Sequence, residues 1–155
     1  MIKDSEFAKR RKQLMRMAGD DAILILPAAP ERIRSKDTTF PFRQDSDFWY
    51  LTGFAEPEAV LVLVPGRKHG ECLLFCRERD AAKEEWDGPR AGQEGAAERF
   101  GMDDAYPIAD LDESVREGVE RLRARPEFPS DYEIVGFTYD VETGRLVLEV
   151  LERVN

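Results

Sequence analysis

The stretch "AVLVLVPGRKHGECLLFC", Ala59 to Cys76, decides the fold. Two uninterrupted apolar runs flank a short polar segment with glycine at both ends. Apolar runs of this length, bounded by turn residues, read as strands buried in a sheet. The brief connection makes them an antiparallel pair. Outward from this hairpin, "AILILP" (Ala22–Pro27) is a third apolar run, read as a strand buried on both faces. "FWYLTGF" (Phe48–Phe54) packs four aromatic residues into seven and is read as a strand. "DAYPI" (Asp104–Ile108) is read as a short edge strand.

Helical patterns alternate with these strands. Asp4 or Ser5 can cap a first helix running to about Ala18, with Phe7, Leu14, Met15 and Ala18 on its apolar side. Lys9, Arg10, Lys12 and Arg16 give it a basic, solvated face. "ERDAAKEEW" reads as one or two helical turns, and "QEGAAERFG" as a short helix with Gly101 just past its end. "ADLDESVREGVERLRA" has capping-box spacing between Asp110 and Glu113 and sets Leu111, Val115, Val119 and Leu122 on one face. The tail reads as two strands joined at "VETGR", with Gly144 supplying a positive φ. Helices mixed with both hairpins and crossovers predict an α/β domain: a mixed sheet flanked by helices.

Composition bounds the function. The chain has 155 residues, 42% of them apolar and 35% charged, which fits a soluble globular protein with a real core. A net charge of −9 argues against a general nucleic-acid binder and against anionic membrane surfaces. No apolar run approaches the roughly 20 residues of a membrane-spanning helix, and no apolar segment follows the basic N-terminus as in a signal peptide. A cytoplasmic location is expected. Cys72 and Cys76, four apart on a strand, would lie about 13 Å apart, so they are read as reduced, packed thiols.

Few residues have the pattern of a catalytic centre. His69, the only histidine, sits in a polar turn, whereas a catalytic zinc site usually takes several nitrogen or sulfur ligands. No serine lies in a GxSxG elbow, and "GPRAGQEG" lacks the ending of a phosphate-binding loop. Asp37, Asp45 and Asp47 could hold a hard cation, or be solvated or paired with arginine. The polar residues that precede the aromatic run, "FPFRQDSD" (Phe40–Asp47), admit two readings. Arg43 could pair with Asp45 or Asp47 while the aromatics fill the core. Alternatively, the loop could form a wall of a neighbouring pocket.

At these residues the sequence resembles a known family. "RSKDTTFPFRQDSDFWYLTGFAEPEAVLVLVPG" and "FCRERDAAKEEWDGPRAGQEGAAERFGMDDAYPIADLDE" are similar to the N-terminal domain of the aminopeptidase P (Xaa-Pro aminopeptidase) family, from about residue 5 to about 120. The resemblance implies the fold of creatinase and aminopeptidase P N-terminal domains. It also implies a two-domain enzyme whose C-terminal metallohydrolase domain holds two manganese ions and hydrolyses the bond before a proline at the second position of a peptide. The ligands of those ions belong to the C-terminal domain, and none is assigned here. This chain would then be the accessory part, inactive alone, shaping substrate access and the contacts of a homo-oligomer.

The resemblance places Asp37 near the substrate's amino end and Trp86, in "EEWDGPR", at a neighbouring subunit's site. Arg43 and Tyr50 follow as further substrate-binding positions. Asp37 could instead cap a turn, and Trp86 could pack on its own domain. The family pattern covers residues 1–125. Residues 126–155 depart from it as a hairpin packed on the same domain, and "VGFTYDVETGRL" resembles the terminal strands of β-class carbonic anhydrases without their zinc ligands. An alternative is a free-standing, non-catalytic binding module derived from that domain. A small enzyme in its own right would need the three aspartates to bind metal.

Overall fold

The computed structural model of the chain describes residues 4–20, 22–113, 134–140 and 145–152. The chain divides into two units, Met1–Ile108 and Ala109–Asn155. The first contains α1 (Asp4–Ala18), β1 (Leu24–Pro27), β2 (Ile33–Ser35), β3 (Thr38–Thr39), α2 (Ser46–Thr52), β4 (Val60–Leu63), β5 (Cys72–Cys76), α3 (Ala81–Asp87), α4 (Gly92–Phe100) and β6 (Asp104–Pro107). The second contains β7 (Ile134–Asp140) and β8 (Arg145–Glu152), an antiparallel pair running from Ile134↔Glu152 to Asp140↔Arg145. The turn with Gly144, and the amphipathic helix expected beyond Glu113, lie outside the described residues.

The Ala59–Cys76 hairpin forms as read. β4 and β5 pair antiparallel, with Leu61 opposite Leu74 and Leu63 opposite Cys72. β6 joins β5 in parallel and β1 joins β4 antiparallel, giving the order β1-β4-β5-β6. This is the mixed sheet with flanking helices that the sequence predicts. Alternation along the strands sends Leu61, Leu63, Cys72, Leu74 and Cys76 to one face. There they pack with Met15 of α1, Phe48 and Leu51 of α2, Ala96 of α4, and Phe54 and Met102. Phe75 and Tyr106 stack on the opposite face, with ring centroids 5.4 Å apart.

Two expectations are corrected. "FWYLTGF" is not a strand, because its central residues form α2. The Asp45 carboxylate accepts from the amides of Asp47 and Phe48, capping the helix, and Gly53 ends it in the left-handed region with φ 66°. Phe48, Leu51 and Thr52 are buried at helical spacing, while Trp49 and Tyr50 face outward. The second correction concerns "AILILP". β1 is an edge strand rather than one buried on both faces, and Ile25 is 59% exposed. The long connection before α2 also holds a small antiparallel pair, β2–β3, with every strand residue exposed.

Arg11 occupies the buried side of α1 between Phe7 and Met15, and is only 1% exposed. Its guanidinium donates to the carbonyls of Leu51 at 2.9 Å and Gly101 at 2.8 Å, with a longer bond of 3.4 Å to Phe100. Those carbonyls lie at the C-terminal ends of α2 and α4, where unpaired oxygens carry the negative end of each helix dipole. A single side chain therefore ties three helices together. Among the described residues no helix is long and apolar enough to cross a membrane.

Both cysteines are free and buried. Burial pushes the Cys76 thiol from its ordinary 9.0 up to about 11; nearby Glu56 adds to the rise and Arg77 opposes it. The unfolded chain loses this proton from about pH 9, whereas the folded chain holds it to about pH 11. The thiol's contribution to stability is therefore intact below pH 9 and is lost as pH rises to 11. Urea unfolding across this window should show Cys76→Ala losing less stability with pH than the parent protein. Equal slopes would contradict the assignment.

Candidate substrate-facing site

The 29–45 segment leaves β1 and returns to α2. Residues 31 to 41 are all exposed, and Asp37 sits in the turn between β2 and β3. The arm is held together by Phe40, whose amide donates to the Arg32 carbonyl at 2.8 Å. The Arg34 guanidinium lies 5.8 Å from the centre of the Phe40 ring. Arg43 is exposed on the returning segment between β3 and α2 and forms no ion pair among the described residues; Asp45 instead caps α2.

The neck of the arm is closed by Gln44. Its Oε1 accepts from the Ala29 amide at 2.8 Å and the Asp45 amide at 3.0 Å. Its Nε2 donates to the Glu56 carbonyl at 2.9 Å and the Phe54 carbonyl at 3.2 Å. Sequence reading placed this residue among the polar groups before the aromatic run but gave it no role of its own. The signal was an amide among charged neighbours, since an amide, unlike an ionised carboxylate or guanidinium, can both accept from one segment and donate to another.

Trp86 lies on α3 and is 88% exposed, so its ring does not pack on its own unit. α3 has no buried residue, yet both ends are tied. The Asp80 carboxylate caps it by accepting from the amides of Ala82 and Lys83, and Arg79 pairs with Glu84 at 3.2 Å. Hydrogen bonding by these partners and the nearby positive charge of Lys83 hold the Asp80 carboxyl below its ordinary range, and the Arg79 bond does the same for Glu84. Past the helix, Arg90 pairs with Asp87 at 3.1 Å and donates to the Glu78 carbonyl at 3.3 Å. The result is a held projection with an aromatic side chain standing off it.

Tyr50 is 53% exposed on α2 under the Arg10 guanidinium, 4.1 Å from its ring centre. It lines a cleft of about 400 Å³ between α1, α2 and β1, with Arg10, Leu14, Met17, Leu26 and Asp47. None of Asp37, Arg43 and Trp86 lines this cleft. The structure thus sets three separate features on the first unit: an arm, a projection and a cleft. His69 is exposed in its turn. Among the described residues no three His, Cys, Asp or Glu side chains are placed to hold a metal ion, the three aspartates included. These donors do not fit a two-manganese centre.

The mixed sheet, the capped aromatic helix and the two projections define a domain of α/β type. The chain belongs to the aminopeptidase P N-terminal domain family, which it matches over residues 7–124. It is 43% identical over 115 residues to the Xaa-Pro aminopeptidase of Escherichia coli K12, covering 74% of this chain and 26% of that protein. It is 37% identical over 118 residues to human Xaa-Pro aminopeptidase 3, covering 68% and 23%. The solved Pseudomonas aeruginosa aminopeptidase PepP superposes with a TM-score of 0.73 at 57% identity, over 76% of this chain and 27% of that one. The chain spans about a quarter of the length of these relatives.

Proposed function

We propose that this chain acts as the substrate-access and assembly domain of an Xaa-Pro aminopeptidase, within a cytoplasmic homo-oligomer. The catalytic chemistry belongs to a separate domain in which two manganese ions activate water toward the bond before proline. Residues 1–125 form the family-like domain and 126–155 add a hairpin. Asp37 meets the substrate's amino end, where a carboxylate complements an ammonium group. Trp86 reaches a neighbouring subunit's site, and Arg43 and Tyr50 contribute further contacts. The observation that carries this reading is Trp86, nearly fully exposed on a short helix tied at both ends. Solvent-exposed tryptophan on a held scaffold is the form of an aromatic anchor for another surface.

A chimera tests the proposal. Residues 7–124 replace the matching region of the Pseudomonas aeruginosa enzyme, and hydrolysis of an Xaa-Pro peptide is measured. The chimera should cleave, and Trp86→Ala within it should lower kcat/KM on the order of thirtyfold, as for an anchor contributing about 2 kcal/mol. An unchanged kcat/KM in a folded Trp86→Ala chimera would count against the role of Trp86. A folded, assembled chimera that fails to cleave would sink the reading as a whole.

A further inference from the structure

The arm that bears Asp37 and the projection that bears Trp86 are distant in sequence, yet their necks meet at one residue. Glu56 lies in the turn between α2 and β4. Its backbone carbonyl accepts from Gln44 Nε2 at 2.9 Å, and Gln44 Oε1 in turn accepts from Ala29, so the arm is closed at both strands. The Glu56 carboxylate accepts from the Ala91 amide at 2.7 Å, where the projection rejoins the fold at α4. The second carboxylate oxygen pairs with Arg77 at 3.6 Å, where the chain leaves β5 toward α3. The Arg77 side chain is 10% exposed and that of Glu56 18%, so both charges work in a partly desolvated setting. Its neighbours shape the turn: Pro57 is buried, with its φ fixed by the ring, and Glu58 adopts a positive φ of 51°.

We propose that Gln44 and Glu56 are positioning residues that fix both projections to a single point of the fold. One side of the Glu56 residue, its peptide carbonyl, holds the arm through Gln44. The other, its carboxylate, holds the tryptophan-bearing segment through Ala91 and Arg77. Neither projection buries enough apolar surface to fix itself: residues 31 to 41 are exposed and α3 buries none of its residues. Their orientation therefore depends on the polar ties at their necks. The functional meaning of this placement rests on the reading that Asp37 and Trp86 face the substrate, whereas the mechanical claim does not.

Nitrogen-15 relaxation and amide exchange on the full 155-residue chain test it, with three reporters. Phe40 N–H reports the arm, the Trp86 backbone amide reports the projection, and Leu74 N–H reports the core. Gln44→Ala should speed exchange at Phe40 on the order of tenfold and leave Trp86 unchanged. Glu56→Ala should do the reverse, lowering the heteronuclear NOE of Trp86 while Phe40 is unmoved, because the peptide carbonyl remains. Glu56→Gln keeps an acceptor for Ala91 and should restore most of the Trp86 rigidity. A general loss of stability would move Leu74 with the others and could not produce this crossed pattern.

The proposal is overturned if Glu56→Ala leaves Trp86 as rigid as in the parent protein, or if Glu56→Gln is no better than Glu56→Ala. Should Glu56→Ala fail to fold, Gln44→Glu decides. It keeps the acceptor for Ala29 but loses the donor to Glu56, so Phe40 exchange must rise, and an unchanged rate would end the proposal. These measurements report what holds the projections; the chimera reports what they touch. Either can fail while the other stands.

Discussion

Replacing Arg11 with methionine is expected to lower the stability of the Met1–Ile108 unit by roughly 2–4 kcal/mol. Methionine fills most of the volume of the arginine stem, so the loss is chiefly one of hydrogen bonds. Bonds to a charged donor contribute about 1.5–3 kcal/mol each, and Arg11 makes two short ones. A buried ion also carries a desolvation penalty, which the substitution removes. That relief does not win here. Exchanging a whole buried ion pair for apolar groups can be neutral, but removing one partner orphans the other, and the Leu51 carbonyl stays buried without a donor. The Gly101 carbonyl, on an exposed residue, can turn to water, which keeps the estimate below the sum of the bonds. Arg11→Lys should recover less than half of the loss. A single ammonium cannot span the ends of α2 and α4 as a planar fork does. The test is the urea midpoint at constant m. The difference should persist at high salt, because a buried charge–carbonyl contact is poorly screened. A methionine variant within about 0.5 kcal/mol of the parent protein would show that Arg11 behaves as a surface residue.

Arg11 also marks the limit of what the sequence discloses. The hairpin from Ala59 to Cys76 was legible because period and composition agree there, and apolar burial decides both. The first helix, the short helix ending at Gly101 and the edge strand at Asp104 were legible for the same reason. Arg11 was not: helical spacing sets it in line with Phe7 and Met15, but its burial depends on carbonyls 40 and 90 residues away, which no local pattern discloses. The aromatic run before Gly53 was misread because β-propensity was weighed above capping chemistry. The signals against a strand were present: Asp45 at the cap position, glycine just past the end, and Phe48, Leu51 and Thr52 at helical spacing. β1 was misplaced because an apolar run does not say whether both of its faces find a partner. At the candidate site, the exposed residues Asp37 and Trp86 came from resemblance. Gln44 and Glu56, which hold their segments, came only from the structure, since their bonds join stretches remote in sequence.

Gly53→Ala is the second large effect, expected to destabilise by roughly 2–5 kcal/mol from two separable sources. The first is backbone. At φ 66° an alanine carries a left-handed penalty of about 1–2 kcal/mol. The second is steric. A methyl at this position would lie 2.7 Å from Cε2 and Cζ of Phe7. That ring is buried and meets Trp49 edge-on at 6.3 Å, so it yields only by disturbing the seam between α1 and α2. Forcing a methyl into a packed site costs about 1–3 kcal/mol. Gly19 supplies the control. Its φ is 87°, but an added methyl meets nothing within 4 Å, so Gly19→Ala should show the backbone penalty alone. Phe7→Leu supplies the complement, because it removes the far edge of the ring. Gly53→Ala in that background should cost no more than Gly19→Ala, and the double-mutant cycle should give a coupling of about 1–3 kcal/mol. If Gly53→Ala costs the same with and without the Phe7 ring, the close approach of the two helices is not what requires glycine. The requirement would then lie in the backbone of the α2 cap alone.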